Sequence, residues 1–133
     1  MKIERFEDIE AWKEARKLAR LIYEISRTGL LSRDYGLRDQ IQRASVSIMS
    51  NIAEGFESQT DKEFVKFLYY AKRSAGEVRS QLYVILDQEY INRRKFDELY
   101  SQVTLVSKLI SKFISYLERS EGQKVGRSEG RKV

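Results

Sequence analysis

YGLRDQIQRASVSIMSNIAEGFES, residues 35–58, is the stretch from which the rest of the chain is read. Its apolar residues Leu37, Ile41, Ala44, Ile48 and Ile52 recur at steps of four, three, four and four, the period of one helix face. A second stripe runs beside them at the same spacing: Gln40, Arg43, Ser47, Asn51 and Glu54. A helix side bathed in water would carry mostly Lys and Glu. Short hydrogen-bonding groups there imply a helix with neighbours on more than one side.

Working outward, the sequence predicts three more helices. The first runs from about Glu7 or Asp8 to Thr28. Ile9, Trp12, Ala15, Ala19, Ile22 and Ile25 or Ser26 form its buried stripe, and Gly29 lies just past its end. Ser32 or Asp34 caps the second helix, the opening stretch. Thr60 and Glu63 form a T-x-x-E capping box for the third, which continues to about Glu89. Its core face is Phe64, Phe67, Leu68, Ala71, Ala75, Val78, Leu82, Ile85 and Leu86. Gly76 inside it costs about 1 kcal/mol against Ala, which predicts a close approach there by the second helix. Asn92 caps the fourth helix, about Arg93 to Glu118, whose core face runs from Phe96 to Leu117. Short connections between long amphipathic helices predict an all-α fold, an antiparallel up-and-down four-helix bundle over residues 1–119. Residues 120–133 repeat SEGQKV and SEGRKV without a packing face and read as a disordered C-terminal tail.

Composition narrows the chemistry. The 133 residues contain no Pro, no Cys and no His, with 34% charged and 41% apolar side chains. Without Cys or His there is no disulfide framework, thiolate nucleophile, imidazole base, Cys/His zinc site or Glu-x-x-His di-iron site. Glycine-rich phosphate loops and convergent acid clusters are also missing from the pattern, so neither an enzyme nor a metal or cofactor protein is expected. Met1 leads straight into charged sequence, and no apolar run nears the roughly 20 residues of a membrane span, which points to a cytoplasmic protein away from membranes. Eight Tyr and six Phe are many for so small a bundle and suggest rings covering an interface between subunits.

The net charge is +5, and the excess lies in the last third: residues 91–119 hold six bases against three acids, and 120–133 four against two. Two basic clusters are candidate phosphate contacts for RNA or DNA. One is Lys13, Arg16, Lys17 and Arg20 on one outer strip of the first helix, where Glu10–Lys13, Glu14–Lys17 and Arg20–Glu24 pairs could halve the basicity. The other is Arg93, Arg94 and Lys95 at the start of the fourth helix, the wrong end for cations by the helix dipole. The polar stripe Gln40, Arg43, Ser47, Asn51 and Glu54 faces Ser74, Glu77 and Gln81 of the third helix, with Arg43–Glu77 and Asn51–Ser74 as candidate partners. It reads either as a ligand groove or as a structural polar network fixing helix register, the second being favoured.

At QIQRASVSIMSNIAEG, residues 40–55, the chain resembles the four-helix bundle protein family encoded in intervening sequences of 23S rRNA genes, also described as S23 ribosomal protein. FEDIEAWKEARKLARLIY, Tyr35-Gly36-Leu37 and DKEFVKFLYYAKRSAGEVRSQL extend the resemblance over nearly all of residues 3–117. Met49 stands where the family commonly has Pro, Gln42 where a second base is usual and Arg73 where a small residue is usual. The resemblance implies a left-handed antiparallel bundle assembling as a ring-like homopentamer. The resemblance also implies kinship with the accessory protein of diversity-generating retroelements, which is similar to a pentameric barrel that binds nucleic acid and a reverse transcriptase. The leading expectation is a non-enzymatic homo-oligomeric bundle binding RNA or DNA through basic outer faces. Its alternatives are a scaffold for a protein partner and a mobile-element accessory.

Overall fold

A computed structural model describes residues 3–121. Four α-helices make up almost all of it: α1 Glu10–Ser26, α2 Tyr35–Glu57, α3 Asp61–Asp87 and α4 Arg93–Glu121. Short 3₁₀ turns, Phe6–Asp8 and Leu30–Arg33, precede α1 and α2, and no strand occurs among the described residues. α4 continues through Glu121; residues 122–133, where a tail is expected, lie outside the described residues.

Each helix packs on its neighbours in chain order, and α4 closes the ring on α1. The direction alternates. Ser26 meets Gln42 between α1 and α2, Gln40 meets Gln81 between α2 and α3, Phe64 meets Phe113 between α3 and α4, and Glu14 meets Gln102 between α1 and α4. This is the expected antiparallel up-and-down bundle. The core is fed by three-four spacing: Leu68, Ala71, Ala75, Val78, Leu82 and Ile85 of α3, and Leu99, Val103, Val106 and Ile110 of α4, are fully buried. Such spacing keeps one seam facing its partners along the whole length.

Caps explain the helix ends. Asp34 accepts from the Leu37 N–H at 3.3 Å, Thr60 from Glu63 at 3.1 Å and Asn92 from Lys95 at 2.8 Å. α3 ends in a Schellman arrangement: the Glu89 N–H donates to Leu86 O at 2.8 Å and the Tyr90 N–H to Ile85 O at 3.1 Å, with Glu89 at φ +61°. Tyr90 then reaches across the same end of the bundle and donates its hydroxyl to Asp34 Oδ2 at 3.0 Å. Donating to a carboxylate and partial burial raise its phenol pKa above the usual value.

Three expectations need correction. α1 does not begin at Glu7. Ile9 is extended and buried, and Phe6 folds back so that its ring lies 5.2 Å from that of Trp12, which breaks the helix there. Leu18 takes the centre of the α1 core face, while Trp12 is only half-buried. Gly76 is not the place of closest approach, since a Cβ there would meet nothing within 4 Å. That place is Gly55, where a Cβ would lie 2.7 Å from Phe64 Cδ1 and 2.9 Å from Phe67 Cβ.

Candidate nucleic-acid interface

α1 carries Ala11, Ala15, Leu18, Ala19 and Ile22 into the core, so its period turns Lys13, Arg16, Lys17 and Arg20 outward, and all four are exposed. None is in an ion pair; the pairs among the described residues are Arg5–Asp8, Arg38–Asp39, Arg93–Asp97 and Lys95–Glu98. The pairings open to Glu10, Glu14 and Glu24 by spacing are therefore not made. For Glu14 the cause is visible. Gln102 of α4, almost fully buried, donates its Nε2 to both the backbone oxygen and Oε1 of Glu14, each at 2.9 Å. The acid that could neutralise Lys17 is held against α4 instead. Arg16 lies 5.8 Å over the Trp12 ring and keeps its charge at the surface. The strip spans about 10 Å of helix axis at 1.5 Å per residue.

The second cluster is different. Arg93 pairs with Asp97 at 3.2 Å and lies 5.3 Å from the Phe96 ring centre, and Lys95 pairs with Glu98 at 2.9 Å. Only Arg94 of the three is without an acid, beside a groove shared with Ile25, Thr28 and Gly29. The antiparallel packing brings this cluster to the C-terminal end of α1. Phe96 also belongs to a ring cluster with Tyr83 and Tyr100, at 5.1 and 5.4 Å, and the neighbouring Tyr100 hydroxyl raises the Tyr83 pKa above its usual value.

Between α2 and α3, the hydroxyls of Ser47 and Ser74 share a hydrogen bond of 2.9 Å, and the Asn51 amide donates to Ser47 O at 2.9 Å and to Ser47 Oγ at 3.1 Å. One heptad away, Gln81 Nε2 donates to Gln40 Oε1 at 3.4 Å. Both pairs obey a single antiparallel register, which supports the register-fixing reading. The specific partners differ from those expected. Ala44, not Arg43, is level with Glu77, so Arg43 and Glu77 line one groove without an ion pair. Asn51 reaches Ser74 only through Ser47. Glu54 is exposed and stands outside these bonds. Gln42 donates to the buried Ser26 hydroxyl at 2.7 Å, a tie between α1 and α2 that a basic side chain would not make in the same way.

A family model described as 23S rRNA-intervening sequence protein matches residues 7–112. The chain belongs to this family. Among solved structures, a protein of unknown function from the S23 ribosomal protein family of Bacteroides thetaiotaomicron matches with a TM-score of 0.73 at 24% identity. The match covers 79% of this chain and 95% of that one, and it shows the shared fold. No curated protein matches the chain. For this member of the 23S rRNA-intervening sequence family, no set of three acidic groups suited to a metal ion forms among the described residues. No helix there is long and apolar enough to cross a membrane.

Sequence reasoning passed over a third basic surface. Lys62, Lys66 and Arg73 of α3 are exposed and make no ion pair among the described residues, with Tyr69 exposed among them. The signal was present as steps of four, three and four, but a balanced count of five bases and five acids over residues 61–90 hid it.

Proposed function

We propose that this bundle is a non-enzymatic nucleic-acid-binding protein whose main contact surface is the outer strip of α1. The observation that carries the reading is that Lys13, Arg16, Lys17 and Arg20 are all exposed, with no acid among the described residues paired to any of them. Four cations held on one rigid helix face, without a neutralising partner, suit a row of phosphates, whose condensed counterions they would release. Arg94 extends the surface, whereas Arg93 and Lys95 contribute less because each is shared with an acid. Family membership supplies neither the activity nor a binding site, and the reading rests on the exposed cations. Titration of the full chain with a labelled structured RNA at low salt tests it. The reading requires binding that weakens steadily as salt is added; absent binding, or binding indifferent to salt, rules it out.

Self-association is part of the same proposal. Between the N-terminal segment and α4 lies a largely apolar groove of about 710 Å³ lined by Ile3, Ile9, Leu109, Phe113 and Tyr116, and Leu105 of α4 is 40% exposed. Covering such a surface with a second copy would remove apolar area from water. Sedimentation should give a mass that is a multiple of 15.7 kDa, five-fold if the ring implied by the resemblance forms.

A further inference from the structure

Lys62, Lys66, Tyr69 and Arg73 lie at steps that place them on one outward stripe of α3, opposite the buried Phe64, Leu68, Ala71 and Ala75. Tyr69 is 47% exposed and takes part in no ring or cation contact among the described residues. Such a ring gains little for the fold where it stands. Beside it, Tyr70 is held edge-on by Phe67 at 5.7 Å and carries the Arg73 guanidinium 5.1 Å from its ring centre. Tyr70 and Arg73 also form one wall of a polar groove with Ser47, Asn51, Ser74 and Glu77. The ridge therefore presents an open aromatic ring, a second ring topped by a planar cation, and two further cations, Lys66 and Lys62, one and two turns before them.

This pattern distinguishes α3 from the α1 strip. A surface of cations alone treats duplexes and single strands much alike, because both offer phosphates. A duplex keeps its base faces stacked inside, so an exposed tyrosine gains nothing from it. A single strand can lay unstacked bases on aromatic rings and guanidinium planes while its backbone runs along cations. An acidic peptide would satisfy the cations and leave the rings unused. We propose that the α3 ridge binds single-stranded RNA or DNA, with a base stacked on Tyr69, a second against the Tyr70–Arg73 pair, and the backbone along Lys62 and Lys66. This rests on the nucleic-acid reading above and adds a second surface with a stated substrate class.

The test uses the full chain and fluorescence anisotropy with labelled oligo(U) of about a dozen nucleotides, within the span of known single-strand sites. An RNA duplex of the same length and poly-glutamate serve as competitors. The expected result is that Tyr69→Ala weakens oligo(U) binding about tenfold while leaving duplex binding unchanged, and that Tyr69→Phe restores it. Lys62→Gln with Lys66→Gln should lower the salt dependence of oligo(U) binding by about 1.4, at roughly 0.7 per single-strand contact. Tyr69 is exposed, and an unchanged helical circular dichroism signal identifies a folded variant. The inference is overturned if Tyr69→Ala binds oligo(U) as the parent chain does, if the duplex loses as much, or if poly-glutamate displaces oligo(U) as effectively as unlabelled oligo(U). Retained duplex binding that depends on the α1 cations would then show that only the α3 assignment fails. Absence of binding to any nucleic acid at low salt removes both.

Discussion

Two glycines with the same local cost play opposite parts. Gly55 sits where α2 meets Phe64 and Phe67, and a methyl group there would lie within 3 Å of both side chains. Gly55→Ala should destabilise the chain by about 1–3 kcal/mol, as overpacking does, measured by urea denaturation. Gly76 has open space around its missing Cβ, so Gly76→Ala should stabilise by up to about 1 kcal/mol in the same assay. Glu89 is the left-handed residue that ends α3, and Glu89→Gly should also stabilise, by about 1 kcal/mol at most. Tyr90 gives a pH signature. Its bond to Asp34 holds the phenolic proton and raises the folded-state pKa above 10.0, so the bond's contribution is complete below that value and lost as pH rises through the folded-state one. Tyr90→Phe should therefore lower stability at neutral pH, and its difference from the parent chain should vanish in strongly alkaline solution.

At the scale of the helices, much was legible in the sequence. α2 runs from Tyr35 to Glu57, within the expected stretch, because Asp34 caps it and its apolar period is unbroken. The caps Thr60 and Asn92 were equally readable, since each works on its own next turn. What failed depended on another element. Phe6 packing its ring, tilted, against Trp12 moves the start of α1, and no local pattern encodes that contact. The close approach falls at Gly55 rather than Gly76 because the α2–α3 register is a property of two helices. The same register decides that Ser47 meets Ser74 and leaves Arg43 beside Glu77 unbonded. The Glu14–Lys17 pair failed because Gln102, 88 residues away in sequence, competes for the carboxylate. A double-mutant cycle on Ser47→Ala and Ser74→Ala should give a coupling of about 0.5–1.5 kcal/mol, since the two hydroxyls share one part-buried hydrogen bond. Additive effects would mean that the pair contributes nothing to the seam.

For the whole molecule, the sequence placed the excess charge in the last third of the chain, and folding redistributes its availability. Arg93 and Lys95, within that third, are compensated by Asp97 and Glu98, whereas the first helix, nearly neutral by count, presents four uncompensated cations in a row. Packing makes this difference, because α4 holds Glu14 inward while the core face of α1 forces its bases outward. The apolar groove between the N-terminal segment and α4 is lined by Glu10 and Ala11 of α1 and by none of the four strip cations. The central claim is that the α1 strip contacts phosphates. The most direct measurement is the slope of log affinity against log salt for a short nucleic-acid duplex, compared between the parent chain and the combined variant Lys13→Gln, Arg16→Gln, Lys17→Gln, Arg20→Gln. At about 0.9 per contact, the account predicts a slope smaller in magnitude by roughly 3–4 in the variant, with weaker binding at low salt. An unchanged slope in a variant that keeps its helical fold would contradict it.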